Sequence, residues 1–190
     1  MAARRVGWRE QQPRLDATRL IFIDETWAKT NMTRLYGRSP VGQRLIDKTP
    51  HGHWKTTTLI AALGIAGMRC ATLADGAVDA DLFEAFVAQV LAPELKEGDV
   101  VVLDNLSSHK RPRTRALIEA TGARLIYLPP YSPDLNPIEM VFAKIKQSLR
   151  SLACRSVESL WNAMQRVLDR ITPADAAHCF AHGGYTLQMK

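Results

Sequence analysis

"VVVLDNLSSHK" (residues 100–110) joins three valines and a leucine to an aspartate, an asparagine, a second leucine, two serines, a histidine and a lysine. A short, continuously apolar run of this kind reads as a strand buried on both faces, the sort found at the centre of a sheet. Asp104 sits where the chain leaves that strand. The buried stem fixes the carboxylate at its tip, and chemistry needs that restriction far more than a turn does.

Outward from this strand the chain alternates short β-like runs with helical ones. "RLIFID" (19–24), "TTTLIAALGI" (56–65) and "MRCATLAD" (68–75) predict three strands, with the break at 66–67 suited to a hairpin turn. Residues 79–95 place Leu82, Phe83, Phe86, Val90 and Leu91 at helical spacing, after Asp79 or Asp81 as a starting residue. Past the central strand at 99–104, residues 111–121 predict a helix, "ARLIYL" (123–128) a fifth strand, and 137–152 and 156–171 two further helices. The order β-β-β-α-β-α-β-α-α makes a mixed α/β sheet, with three antiparallel strands first and helices on its faces. Residues 1–17, rich in Arg and Gln, read as a tail or the remnant of a linker.

The 190 residues are 46% hydrophobic, enough for one full core. Twenty-five Lys and Arg against nineteen Asp and Glu leave a net charge of +6, which favours a polyanionic partner without identifying one. The longest apolar stretch, "TLIAALGIAG" (58–67), is too short and too glycine-broken to span a bilayer, and no secretion signal is visible. Cys70, Cys154 and Cys179 are odd in number and far apart, so a reducing cytoplasm is the expected compartment. His178, Cys179 and His182 lack a second ligand pair, and a zinc centre is not expected. A long segment at about 26–55 carries Lys29, Arg34, Arg38, Arg44, Lys48 and Lys55 against one acid beyond its start, Asp47. It reads either as a solvated excursion at the sheet edge or as a basic loop gripping a phosphate backbone. Trp27, Tyr36 and Trp54 within it either stack on bases or pack the loop against the body.

Two further acids stand out. Asp24 ends the first predicted strand, as Asp104 ends the fourth. In "LPPYSPDLNPIEMVFAKIKQSLR" (128–150), Asn136, Pro137 and Glu139 fit an N-cap, a first helical proline and a capping box. Ile138, Val141, Phe142, Ile145, Leu149 and Leu152 form the expected buried stripe, while Glu139, Lys146 and Arg150 line an adjacent face. Glu139 is therefore either a helix-starting residue or a carboxylate with phosphate-binding cations behind it. Three carboxylates without a Cys/His cluster select a hard cation, magnesium or manganese. Two such ions about 3.5–4 Å apart can drive in-line phosphoryl transfer.

"FIDE", "VVLDNLSSHK" and "YLPPYSPDLNPIEMVFAKIKQSLR" resemble the catalytic domain of DDE superfamily transposases, specifically the mariner-like group of bacterial insertion sequences. Thirty-four residues separate Asp104 from Glu139, as between the second and third acids of that group. The resemblance covers about residues 18–185. It implies an RNase H-like fold, a five-stranded mixed sheet of three antiparallel and two parallel strands flanked by helices. It implies a domain at 18–185 with a basic insertion at about 26–55. It also implies two Mg²⁺ or Mn²⁺ ions on Asp24, Asp104 and Glu139, cleavage at transposon ends, and strand transfer into target DNA, commonly at a TA dinucleotide.

By the same resemblance, the 26–55 loop reaches a partner subunit in a homodimer. Family members normally carry an N-terminal helix-turn-helix module; a separate recognition polypeptide from a split or truncated gene is expected here instead. Asn105 and His109 are expected to support Asp104, although a turn asparagine and a solvated loop histidine fit equally. Arg34, Arg38, Arg44, Lys110, Lys146 and Arg150 are the expected DNA contacts. Glu25 should point away from Asp24. A catalytically idle assembly subunit and a nuclease for RNA–DNA hybrids are the competing functions, the latter disfavoured by "SPDLNPIE".

Overall fold

The computed structural model of the chain describes residues 2–186. Three strands come first: β1 (Leu20–Lys29), β2 (Thr56–Gly64) and β3 (Gly67–Asp75) pair antiparallel in sequence, with Gly67 at φ 123° completing the tight β2–β3 turn. Two parallel strands complete the sheet. β4 (Val100–Leu103) lies beside β1, and β5 (Arg124–Tyr127) beside β4, giving the order β3-β2-β1-β4-β5. This is the expected RNase H-like sheet.

Strand alternation sorts the core into two layers. Leu20, Phe22 and Val102 face one side, where α4 (Pro137–Leu152), α5 (Val157–Leu168) and α6 (Pro173–His182) supply Phe142, Ile145, Met164 and Phe180. Ile21, Ile23, Val101 and Leu103 face the other, covered by α2 (Ala80–Phe86) with its continuation through Leu91, and by α3 (Pro112–Glu119). Phe22 packs edge-on against Phe180 at 5.3 Å and tilted against Tyr185 at 4.9 Å. Of the stripe expected on α4, Leu152 alone departs. It is 49% exposed, because the helix ends there and Ala153 turns left-handed at φ 49°.

The boundaries differ from expectation in three places. β1 continues five residues past Asp24, because its ladder to β2 runs on to Lys29↔Thr56 after the apolar run has ended. α6 extends the helical set, started by a capping box between Thr172 and Asp175. The polar start of the chain is not a loose tail; Met1 aside, which lies outside the described residues, it forms helix α1 (Ala2–Gln11) and a short turn at Gln12–Arg14. Arg5 pairs with Asp134 at 2.6 Å, Trp8 Nε1 donates to the Tyr185 hydroxyl at 3.1 Å, and buried Gln12 donates to the Gly183 carbonyl. Polar side chains that match fixed partners hold this helix down without a large apolar face. Among the described residues no helix is long and apolar enough to cross a membrane.

Candidate active site

The parallel β1–β4 ladder ends at the pair Ile23↔Leu103, so Asp24 and Asp104 occupy the next step on neighbouring strands. Both share the parity of Phe22 and Val102, which places them on the α4 side. Helix α4 begins over that point. Asp24, Asp104 and Glu139 together line one cleft of about 400 Å³, walled by Leu128–Pro133 and Asn136.

Asn136 is the N-cap residue by position, but its side chain makes no capping bond. Its Nδ2 donates to Asp24 Oδ2 at 2.8 Å, so the expected capping box is absent, and Glu139 is left at the exposed mouth of the cleft. Asp24 also accepts the Glu25 amide at 2.8 Å. Burial pushes the Asp24 carboxyl up to about 7 against the pull of that amide, and the charges of Asp104, Glu139 and Glu25 push the same way. Glu139 is raised by partial burial, opposed by Lys146 and reinforced by Asp104. Burial lowers Lys146, which Glu139 partly restores.

His109 is fully buried, stacked on Phe83 at 4.3 Å. It bridges the two faces of the sheet. Nδ1 donates to Asp104 Oδ1 at 2.6 Å and Nε2 to Glu25 Oε2 at 3.0 Å. Burial pulls the imidazole down, but these two carboxylates more than reverse it and lift it to about 9, so the ring is a cation. Glu25 thus lies on the face opposite Asp24, as strand alternation requires, and acts on the site through His109. Asn105 lines the cleft beside Asp104, and the Leu106 amide caps Asp104 Oδ1 at 3.1 Å.

In chemistry, though not in spacing, the residues suit a hard divalent cation. Their donors are carboxylate oxygens whose mutual repulsion an ion would relieve, and buried Asn136 Oδ1 has no hydrogen-bond partner. Among the described residues, no three His, Cys, Asp or Glu side chains are gathered closely enough to hold one ion. Asp104 is turned to His109 and Asp24 to Asn136.

The six expected DNA contacts fall into separate places. Lys146 lies over the Trp27 ring at 4.7 Å, with Lys29 at 4.5 Å from the same ring, while Arg34 and Arg150 line a hollow where the basic loop meets α4. Arg38 and Arg44 are exposed farther along that loop, and Lys110 lies in a different groove, beside α1. The base of the loop is tied down by Arg155, which donates to the carbonyls of Thr30 and Met32. Of the aromatics named in this region, Trp27 belongs to β1, Tyr36 is 89% exposed and Trp54 is half exposed. Tyr131 was not anticipated. It sits at φ 54°, a conformation that strains a bulky residue, with its exposed ring at the mouth of the cleft. The surrounding "PPYSP" was the only signal, and it announces a constrained turn without saying which residue turns left-handed.

An acidic cleft where β1 and β4 emerge side by side under the start of α4 defines an RNase H-like domain built around carboxylates. The chain belongs to the DDE superfamily endonuclease family, whose model matches residues 19–166. Among solved structures it is similar to the Mos1 mariner paired-end complex with Mn (TM-score 0.74, 20% identity, covering 94% of this chain and 57% of that one). It is also similar to the Mos1 strand transfer complex (0.75, 18%, 94% and 56%). The Mos1 transposase catalytic domain with Raltegravir and Mg aligns at a TM-score of 0.66 and 19% identity, over 94% of this chain and 87% of that one. At these identities the likeness is one of fold, and the chain spans under two thirds of the length of the first two. No curated protein matches it.

Proposed function

We propose that this chain is the catalytic part of a DDE-type transposase that cuts DNA at transposon ends and joins the freed 3′ hydroxyl to target DNA. The observation that carries the reading is the placement of Asp24 and Asp104 one step past the last β1–β4 pair, on one face, in a cleft that Glu139 also lines. Asp24, Asp104 and Glu139 are the residues that would hold two Mg²⁺ or Mn²⁺ ions. When bound, such ions activate the attacking oxygen and stabilise the leaving one in an in-line displacement.

The protein's own groups set up that displacement. Asn136 Nδ2 holds Asp24 Oδ2, and the His109 cation fixes Asp104 Oδ1 while Glu25 anchors the far nitrogen of the ring. Lys146 offsets the charge of Glu139 and, with Arg150 behind it on α4, is placed to take phosphates flanking the scissile one. Arg34, Arg38 and Arg44 extend a cationic surface along the loop, whose exposed Leu35, Tyr36 and Ile46 suit contact with a second subunit. The active assembly is then a homodimer on DNA in the bacterial cytoplasm, with end recognition supplied by a helix-turn-helix module.

The test is a labelled duplex carrying the terminal repeat of the chain's own element, incubated with the protein and Mg²⁺ or Mn²⁺. Metal-dependent nicking that disappears in Asp104→Ala is the expected result. Nicking that persists when all three acids are alanine refutes the assignment.

A further inference from the structure

We propose that helix α1 and the carboxyl ends of β4 and β5 form a second groove that takes the sugar–phosphate backbone of a DNA strand running to the acidic cleft. This rests on reading the acidic cleft as the cutting site. The groove encloses about 720 Å³, and its charged lining residues are Arg4, Lys110 and Arg115, with no carboxylate among them. The acid paired with Arg115, Glu119, lies outside the lining and on the same helix. Asn105, Leu128, Pro129 and Pro130 line both the groove and the acidic cleft, so the two are continuous. A phosphodiester chain entering one has an unbroken path to the other.

The charge pattern selects the occupant. A bare cluster of carboxylates repels phosphate, so a polyanion reaching it needs cations along its approach, and in this groove Arg4, Lys110 and Arg115 supply them. Aromatic surface accompanies them. Trp8 and Tyr127 also line the groove, with Lys110 Nζ 6.0 Å and Arg115 5.7 Å from the Tyr127 ring centre. Cations interleaved with aromatic rings suit a strand whose bases are open to stacking. Helix α1 is held in place for this role. Arg5 and Trp8 of the helix and Gln12 of the turn behind it are spent on anchoring contacts to Asp134, Tyr185 and Gly183, while Arg4, exposed and on the helix, lines the groove.

Fluorescence anisotropy on a labelled duplex with a single-stranded 3′ extension, titrated between about 50 and 200 mM salt, tests the groove without requiring catalysis. Arg4→Ala and Lys110→Ala are each expected to weaken binding about 3- to 10-fold, and the double variant to lower the salt slope by about two. Arg166→Ala, an exposed cation on α5 outside both grooves, should leave affinity and slope unchanged. The pair Arg4→Lys with Lys110→Arg should keep wild-type affinity, which separates lost charge from lost folding. A double alanine variant that melts, binds and responds to salt like the wild type overturns the groove, as does a wild-type chain that does not bind the duplex. Because nicking is scored separately, groove-dependent binding with nicking that persists in the triple alanine variant refutes the cutting assignment alone, and acid-dependent nicking with groove-independent binding refutes the groove alone.

Discussion

Asp24 carries opposite consequences for stability and for ion binding. Its folded carboxyl titrates near 7, against about 3.9 in an unfolded chain. Below pH 4 both states are protonated and the residue is neutral to folding. As pH rises from about 4 to 7 the unfolded chain ionises first, so stability falls and then levels off. Asp24→Asn is therefore expected to stabilise the metal-free protein at pH 8 by about 2–4 kcal/mol, a rise in Tm of several degrees, with the gain vanishing near pH 4. Calorimetric melts at the two pH values check this. His109 has the opposite sign. Its cation, raised to about 9, adds stability that is complete below about 6.5 and is lost as pH rises through 9. His109→Gln should lower the urea midpoint at pH 6, by about 2–3 kcal/mol of stability, and much less at pH 9.5. The direction of Glu25 was legible in the sequence from strand parity, and Asp24, Asp104 and Glu139, singled out at two strand ends and one helix start, line one cleft. The use of Asn136 was not, because a residue that fits an N-cap so well gives no sign that its side chain has turned to a carboxylate 112 positions away.

At the level of elements, helix α4 has a fault that a single change repairs. Ala153, its C-cap, adopts φ 49°, which a β-carbon disfavours and glycine does not. Ala153→Gly should stabilise the chain by about 0.5–1 kcal/mol, seen as an upward shift of about 1–4 °C in Tm, with no change in metal or DNA binding. The strands and the amphipathic helices were readable because apolar periodicity announces them. The second half of β1 is hard to read because it alternates the small buried side chains of Thr26 and Ala28 with Glu25, Trp27 and Lys29, too weak an apolar signal to follow. α6 had a legible start in Thr172, Pro173 and Asp175, but its body is mostly alanine and histidine, too weak a stripe to follow. α1 has no fully buried residue, so composition made it look like a tail, and only its partners at Asp134, Tyr185 and Gly183 make it part of the fold.

For the molecule as a whole, a cation that binds the folded chain alone must stabilise it. Mg²⁺ at about one hundred times its dissociation constant should add about 2.7 kcal/mol, and the increment should disappear in Asp104→Asn and shrink in Glu139→Gln. Thermal melts with and without Mg²⁺ read this without any DNA present. The topology was legible as a whole because each strand carried its own signature, whereas the division of the basic residues between two grooves depends on where α1 docks, which no local pattern encodes. The shared rung of Asp24 and Asp104 also sets what kinds of change a lineage of such chains can accept. The loop between β1 and β2 can lengthen or shorten freely, since nothing in the β1–β4 ladder measures it. A single residue inserted within Leu20–Ile23 or Val100–Leu103 turns one aspartate to the other side of the sheet. Eight positions of backbone therefore act as a ruler, and drift in length is confined to everything outside them.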